Sequence, residues 1–319
     1  MTIPDLKAKA ELINRRITQI ASAIVGLVAV FIIVMAIRWQ PKTARETGQA
    51  ATQDTATNRD ASVLSEQINP KDGYNLSVSY GDLGPQLLAS GVIDYDAFVA
   101  IYQNADKPLS TEQIEALKNG SDQEIVIDSE NAYYLLNFFW AVGLANKNVI
   151  LTEGPMVQNS DGKYENFAST GGWSLATKPI PELYASLDLI PLTEQQQNLV
   201  EEVAQNVYRP CCNNPTHFPD CNHGMAMLGI LELMASQGAT ADQMFEAAKY
   251  INAYWFPQQT LEAALYLKAN QGIDFVDADP RIVVGKGISS ASGAKMVHAD
   301  LQSKGLLQQA PGQGGSCSN

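Results

Sequence analysis

From Ile20 to Ile37 the chain carries no charged residue, and Ser22 is its one plainly polar side chain. Eighteen helical residues rising about 1.5 Å each cover roughly 27 Å, close to the hydrocarbon thickness of a bilayer. Trp39 stands at the edge of the run, where interfacial aromatics collect, and Arg15 and Arg16 flank its other end. A cleavable leader has a shorter apolar core of about 7–15 residues. The segment 17–39 is therefore read as an uncleaved membrane anchor, although Val34-Met35-Ala36 offers a weak cleavage site. Lys7, Lys9, Arg15 and Arg16 precede the span, against Arg38, Lys42 and Arg45 after it. That small excess, with a short N-terminus and a long acidic body, places 1–16 in the cytoplasm and the body outside the cell membrane.

Charge supports the same division. The chain is −13 overall while residues 1–40 are net +3, so the remainder carries −16. An acidic body lacks the basic surface that offsets phosphate charge, which argues against a nucleic-acid partner. With 45% hydrophobic residues, the chain has enough apolar material for a folded domain. Residues 40–73 are rich in Thr, Ala, Gln and charge, and are expected to be a flexible linker. The folded domain is then expected over 74–307, followed by a flexible tail, 308–319, that bears Cys317.

The body reads as all-α, an irregular helical bundle behind a single N-terminal transmembrane helix. Ser110 with Gln113, Thr193 with Gln196 and Thr240 with Gln243 have capping-box spacing. Ala132 to Ala145 is apolar almost throughout and too short to span, so it is expected as a buried core helix. Leu199, Val200, Val203 and Val207 form the apolar stripe of another helix, and Met225 to Ala235 forms a second core helix. Pro257 is expected to halt or kink a helix that begins after Thr240, and Ser292 to Lys304 to form the last helix. The Gly-rich segment 150–178 is expected to be an irregular loop or hairpin. Ile282 to Val284 is the one β-like piece of the second half.

The chemistry concentrates in 208–227, Tyr-Arg-Pro-Cys-Cys-Asn-Asn-Pro-Thr-His-Phe-Pro-Asp-Cys-Asn-His-Gly-Met-Ala-Met. It holds Cys211, Cys212, His217, Cys221 and His223, five of the chain's seven Cys and His residues, with Met225 and Met227 directly after. Pro210, Pro215 and Pro219 deny helix to the connector. A new helix is expected near Asp220–Asn222, with Cys221 at an N-terminus that favours thiolate. Cys221 with Met225, and His223 with Met227, are each four residues apart. Those two faces diverge by about 200°, so the four donors converge only if the first turn is irregular.

Three chemistries fit these residue types. Thiolate, imidazole and thioether donors suit a soft ion, copper or zinc, and the methionines favour copper. The ligand candidates are Cys211, Cys212, His217, Cys221, His223, Met225 and, delivered by the tail, Cys317. Thiol–disulfide exchange is the second, with Cys221 as nucleophile and Cys211 or Cys212 resolving. A disulfide-stapled interaction module is the third. Cys221 and His223 lie too close in sequence for an ordinary hydrolase dyad, and no P-loop, Gly-x-Ser-x-Gly or dinucleotide fingerprint is present. Expected partners are the membrane, through 17–39, and a metal-delivery or redox protein.

The run Tyr208–Met227, with Gly-Gly-Ser-Cys at 314–317, resembles an uncharacterised family of bacterial membrane-anchored proteins from about Gly84 to the tail. The resemblance implies the extent of the domain and no activity. The Cys pair, Asp220 and Gly238-Ala239-Thr240 are similar to features of the thiol-carrying subunit of cytochrome c maturation. That family carries Cys-x-x-Cys where this chain has Cys211-Cys212 and a third cysteine.

Overall fold

The computed structural model describes residues 63–307. The chain divides into two units, 1–59 and 60–319, and every described residue belongs to the second. The expected anchor, 17–39, and the Cys317 tail lie outside the described residues. Among the described residues no helix is long and apolar enough to cross a membrane.

The described chain is mostly helical, as expected, with one two-stranded sheet. Strand β1 (Tyr74–Gly81) is followed by α1 (Leu83–Ser90), α2 (Tyr95–Asn104) and α3 (Thr111–Asn119), and then by β2 (Ser121–Ile127). The strands pair antiparallel, Tyr74 opposite Ile127 and Ser79 opposite Glu124, with register shifts between Asn75 and Gly81. Alternation explains them: Leu76 and Val78 of β1, and Ile125 and Ile127 of β2, are buried between more exposed neighbours. The main helices follow as α4 (Ala132–Ala145), α5 (Glu194–Asn206), α6 (Asn222–Ser236), α7 (Ala241–Trp255), α8 (Pro257–Gln271) and α9 (Ala291–Lys304).

The helix boundaries follow their caps. Ser110, Thr193 and Thr240 each accept a hydrogen bond from the backbone N–H three residues on, and each box is closed by its glutamine. Pro257 halts α7, which ends at Trp255, rather than kinking it, and occupies the first turn of α8, where its missing N–H costs nothing. Ile282–Val284 is not β-like: Pro280–Val283 is a helical turn capped by the Asp279 side chain, and proline there starts helix rather than strand. The 150–178 segment is no hairpin but a series of single turns, among them Pro155–Gln158, Tyr164–Asn166 and Ala168–Gly171. The expected linker also ends earlier than 73: residues 63–68 are helical, and Ile68 is buried with Leu267, Phe275 and Leu301.

The central contact is between α4 and α6, the most extensive of any helix pair. Both are buried almost all round, which suits a helix enclosed by others. They meet through glycines. A Cβ on Gly143 would strike the Met225 carbonyl oxygen, and one on Gly229 would lie 2.8 Å from the Phe139 oxygen and 2.9 Å from the Gly143 nitrogen. Gly143→Ala is expected to cost about 3 kcal/mol or more, at the upper end for overpacking a core, because backbone must move to admit the methyl. Urea denaturation of variant and wild type measures this.

In the C-terminal half of α6, Glu232 is fully buried. The side-chain amide of Asn148 donates to its Oε1 at 2.6 Å, and that of Asn146 to its Oε2 at 3.1 Å. Burial outweighs these bonds and pushes the carboxyl up from its ordinary 4.5 to about 8. The folded state therefore binds the extra proton between those values. The stability this provides is complete below 4.5 and is lost as pH rises through about 8, a change on the order of 5 kcal/mol at most. Glu232→Gln cannot ionise, so its urea midpoint is expected to fall less than that of wild type between pH 5 and 9.

Candidate metal centre

After Asn206, the last residue of α5, the chain is fixed by backbone bonds to the core. Tyr208 N–H donates to the Val284 oxygen, Thr216 N–H to Val207 and His217 N–H to Ala204. Tyr208 and Pro215 form an antiparallel bridge, and the Asn252 amide donates to the Tyr208 oxygen. The outer turn is tied to the start of α9: Ala291 N–H donates to the Cys212 oxygen, and Ser292 N–H to Asn213 Oδ1 at 2.9 Å. A proline-rich segment that supplies few N–H donors is thus held by its neighbours.

Cys221, rather than Asp220 or Asn222, is the N-cap of α6. Its backbone is extended, with φ −126° and ψ 165°, and its side chain makes no capping hydrogen bond. The sulfur is left available. Because Cys221 precedes the first helical turn, its Sγ and the His223 ring reach the same point, which helical spacing alone forbids. Cys211, Cys221 and His223 each place a ligand atom within 4.8 Å of the others, and Cys212, Asp220 and Cys221 form a second such group. Cys221 belongs to both. The Cys211 and Cys221 sulfurs are 3.6 Å apart, and the three described cysteines are free thiols.

Beneath the sulfurs lies Arg209, fully buried. Its Nη2 donates to Cys212 Sγ at 3.1 Å, Asp220 Oδ1 at 3.1 Å and Cys221 Sγ at 3.5 Å. Nε and Nη1 have no partner among the described residues. Gly224 makes the space, since a Cβ there would lie 2.6 Å from Nη2. Asp220 is held on its other oxygen by the Asn214 amide at 2.8 Å.

The electrostatics follow from this packing. Burial alone would lower the Arg209 pKa, but the adjoining sulfurs more than offset it and hold the guanidinium charged. Hydrogen bonds from Cys211 and Cys212, followed by Arg209 and His223, outweigh burial and hold Cys221 well below the usual thiol range. Contact with Cys211 lowers Cys212, but contact with Cys221 and burial carry it up to about 11. Cys211 is raised by its bonds to Cys212 and Cys221 and by burial. Burial raises Asp220 and lowers His217.

Of the sequence candidates, the structure brings Cys211 and His223 together with Cys221 in one group, and Cys212 together with Cys221 in the other. His217 belongs to neither group, and its charge interaction is with Glu201 of α5. Met225 and Met227 are fully buried members of the main apolar cluster. Their packing is that of core residues, so their burial adds nothing to the thioether argument for copper. Sequence reasoning passed over Arg209 and Gly224. Arg209 did carry a signal, as the one Lys or Arg between Lys178 and Lys249. No protein-family model, curated protein or solved structure matches the chain.

The three thiols should separate on titration. In chelator-treated protein, peptide-resolved alkylation by iodoacetamide is expected to show Cys221 ionising well below the reference of about 8.5. Cys212 is expected near 11. Arg209→Met and Gly224→Ala should both move the Cys221 midpoint upward, the first by removing the cation and the second by displacing it.

Proposed function

We propose that this chain is a membrane-anchored binding protein for a thiophilic d10 ion, copper(I) or zinc(II), held by Cys211, Cys212, Cys221 and His223. The observation that carries the reading is that two groups of metal-ligating side chains meet at Cys221, with Cys211 and His223 in one and Cys212 and Asp220 in the other. Around an ion with metal–sulfur bonds of about 2.3 Å, tetrahedral ligands stand roughly 3.75 Å apart. The Cys211–Cys221 separation of 3.6 Å is close to that edge. Three thiolates and a neutral imidazole without a thioether favour zinc between the two ions.

Arg209 fits the same reading. Three thiolates around a divalent ion leave one net negative charge in a partly buried place, and the guanidinium balances it. Its N–H groups on Cys212 and Cys221 orient those sulfurs, as outer-shell donors do in metal sites. Asp220, held by Arg209 and Asn214, fixes Arg209 rather than serving as a ligand. The apolar segment 17–39 supports placing the site at a membrane, with the acidic body outside the cell.

Full-length protein purified in detergent without chelator is expected to hold one equivalent of zinc or copper by elemental analysis. Cys221→Ser should reduce the affinity by 100-fold or more, because Cys221 belongs to both ligand groups. His217→Ala should leave the metal content unchanged. A wild-type chain that takes up neither ion after reduction and reconstitution overturns the reading.

A further inference from the structure

We propose that Cys211 and Cys221 form a reversible dithiol–disulfide couple whose closure dismantles the metal site. The inference rests on the metal-site reading for what closure would do, and on independent geometry for which pair closes. Three thiols share the site, so three pairings exist. Adjacent Cα atoms across a trans peptide are about 3.8 Å apart, short of the roughly 4.4–6.8 Å that a disulfide spans, which disfavours Cys211–Cys212. Cys212 Sγ is held by Arg209 on one side and lies 3.7 Å from the Asn214 oxygen on the other. Cys211 and Cys221 face each other at 3.6 Å, so closing them to about 2.05 Å takes a movement on the order of 1.5 Å.

Exposure sets the order of events. Cys211 is exposed, whereas Cys221 is half-buried behind it. A small-molecule disulfide is the oxidant class that suits this arrangement. Cys211 passes its proton to the adjoining Cys221 sulfur, 3.6 Å away, as it attacks one sulfur of the incoming disulfide, forming a mixed disulfide and expelling one thiolate. The Cys221 sulfur, already adjacent, then attacks Cys211 Sγ and expels the second thiolate. Two protein thiols give up two electrons and two protons, and the oxidant leaves as two thiols. The product removes two of the four ligands at once, leaving Cys212 and His223. A bound ion in turn occupies both sulfurs and blocks the first attack.

The test uses full-length protein in detergent, reduced and stripped with a chelator, then exposed to oxidised glutathione and mapped without reduction by mass spectrometry. A predominant Cys211–Cys221 link is expected in wild type and in Cys212→Ser, with zinc preloading slowing it at least tenfold. A predominant link that involves Cys212 or Cys317, or a lasting glutathione adduct on Cys211, overturns the couple. Circular dichroism of Cys212→Ser before oxidation establishes that the variant is folded. Zinc uptake without the Cys211–Cys221 link would sink the couple and leave the metal site standing. Unprotected closure in a chain that takes up no ion would sink both the metal site and the gating.

Discussion

The structure depends on the backbone-to-backbone approach of α4 and α6. At Gly143 and Gly229 there is no room for a methyl group, so the two helix axes come closer than side chains would permit. That approach fixes α6 along its whole length. Its far half carries Glu232 to the amides at the end of α4, and its N-terminus carries Cys221 and His223 to the loop after α5. A site assembled from a helix end and a loop needs both held to within fractions of an ångström, and the loop is held by its own bonds to α5 and α9. The α4–α6 crossing supplies the other half.

Within the site one cation organises everything. Arg209 reaches two sulfurs and a carboxylate with a single nitrogen, and Gly224 exists as a gap to receive it. A fully buried guanidinium is costly unless paired, so the sulfurs and Asp220 are as much the condition for burying Arg209 as Arg209 is the condition for holding them. Reactive cysteines are found where such positive charge is concentrated, and here the charge comes from one side chain and a helix N-terminus together.

Much of this was legible residue by residue. Ala132–Ala145 was readable from end to end because an apolar run bounded by polar residues leaves no choice of periodicity. The three capping boxes were readable because they are local. Strands β1 and β2 were not, although Leu76 and Val78 alternate with Asn75 and Ser77. Their pairing is closed across three helices, and short alternating segments look alike in and out of a sheet. The Cys/His run marked where metal-ligating side chains gather, but not how they divide into groups. Met225 and Met227 have the right element for a soft ion and the right hydrophobicity for a core, and in the fold both are buried in the apolar cluster. Gly224 was silent because a glycine kept for a neighbour's guanidinium carries no mark in the chain itself.

The two hydrogen bonds that tie the cysteine loop to the start of α9 have a consequence in time. Asn213 and Ser292 are 79 residues apart in sequence. On a ribosome the thiols emerge long before the residues that lock their loop, and during synthesis at roughly 5–20 residues per second that interval lasts seconds. Through it the loop has its anchors on α5 but not its clasp on α9. The site therefore has a youth in which its cysteines are present and their spacing is not yet imposed.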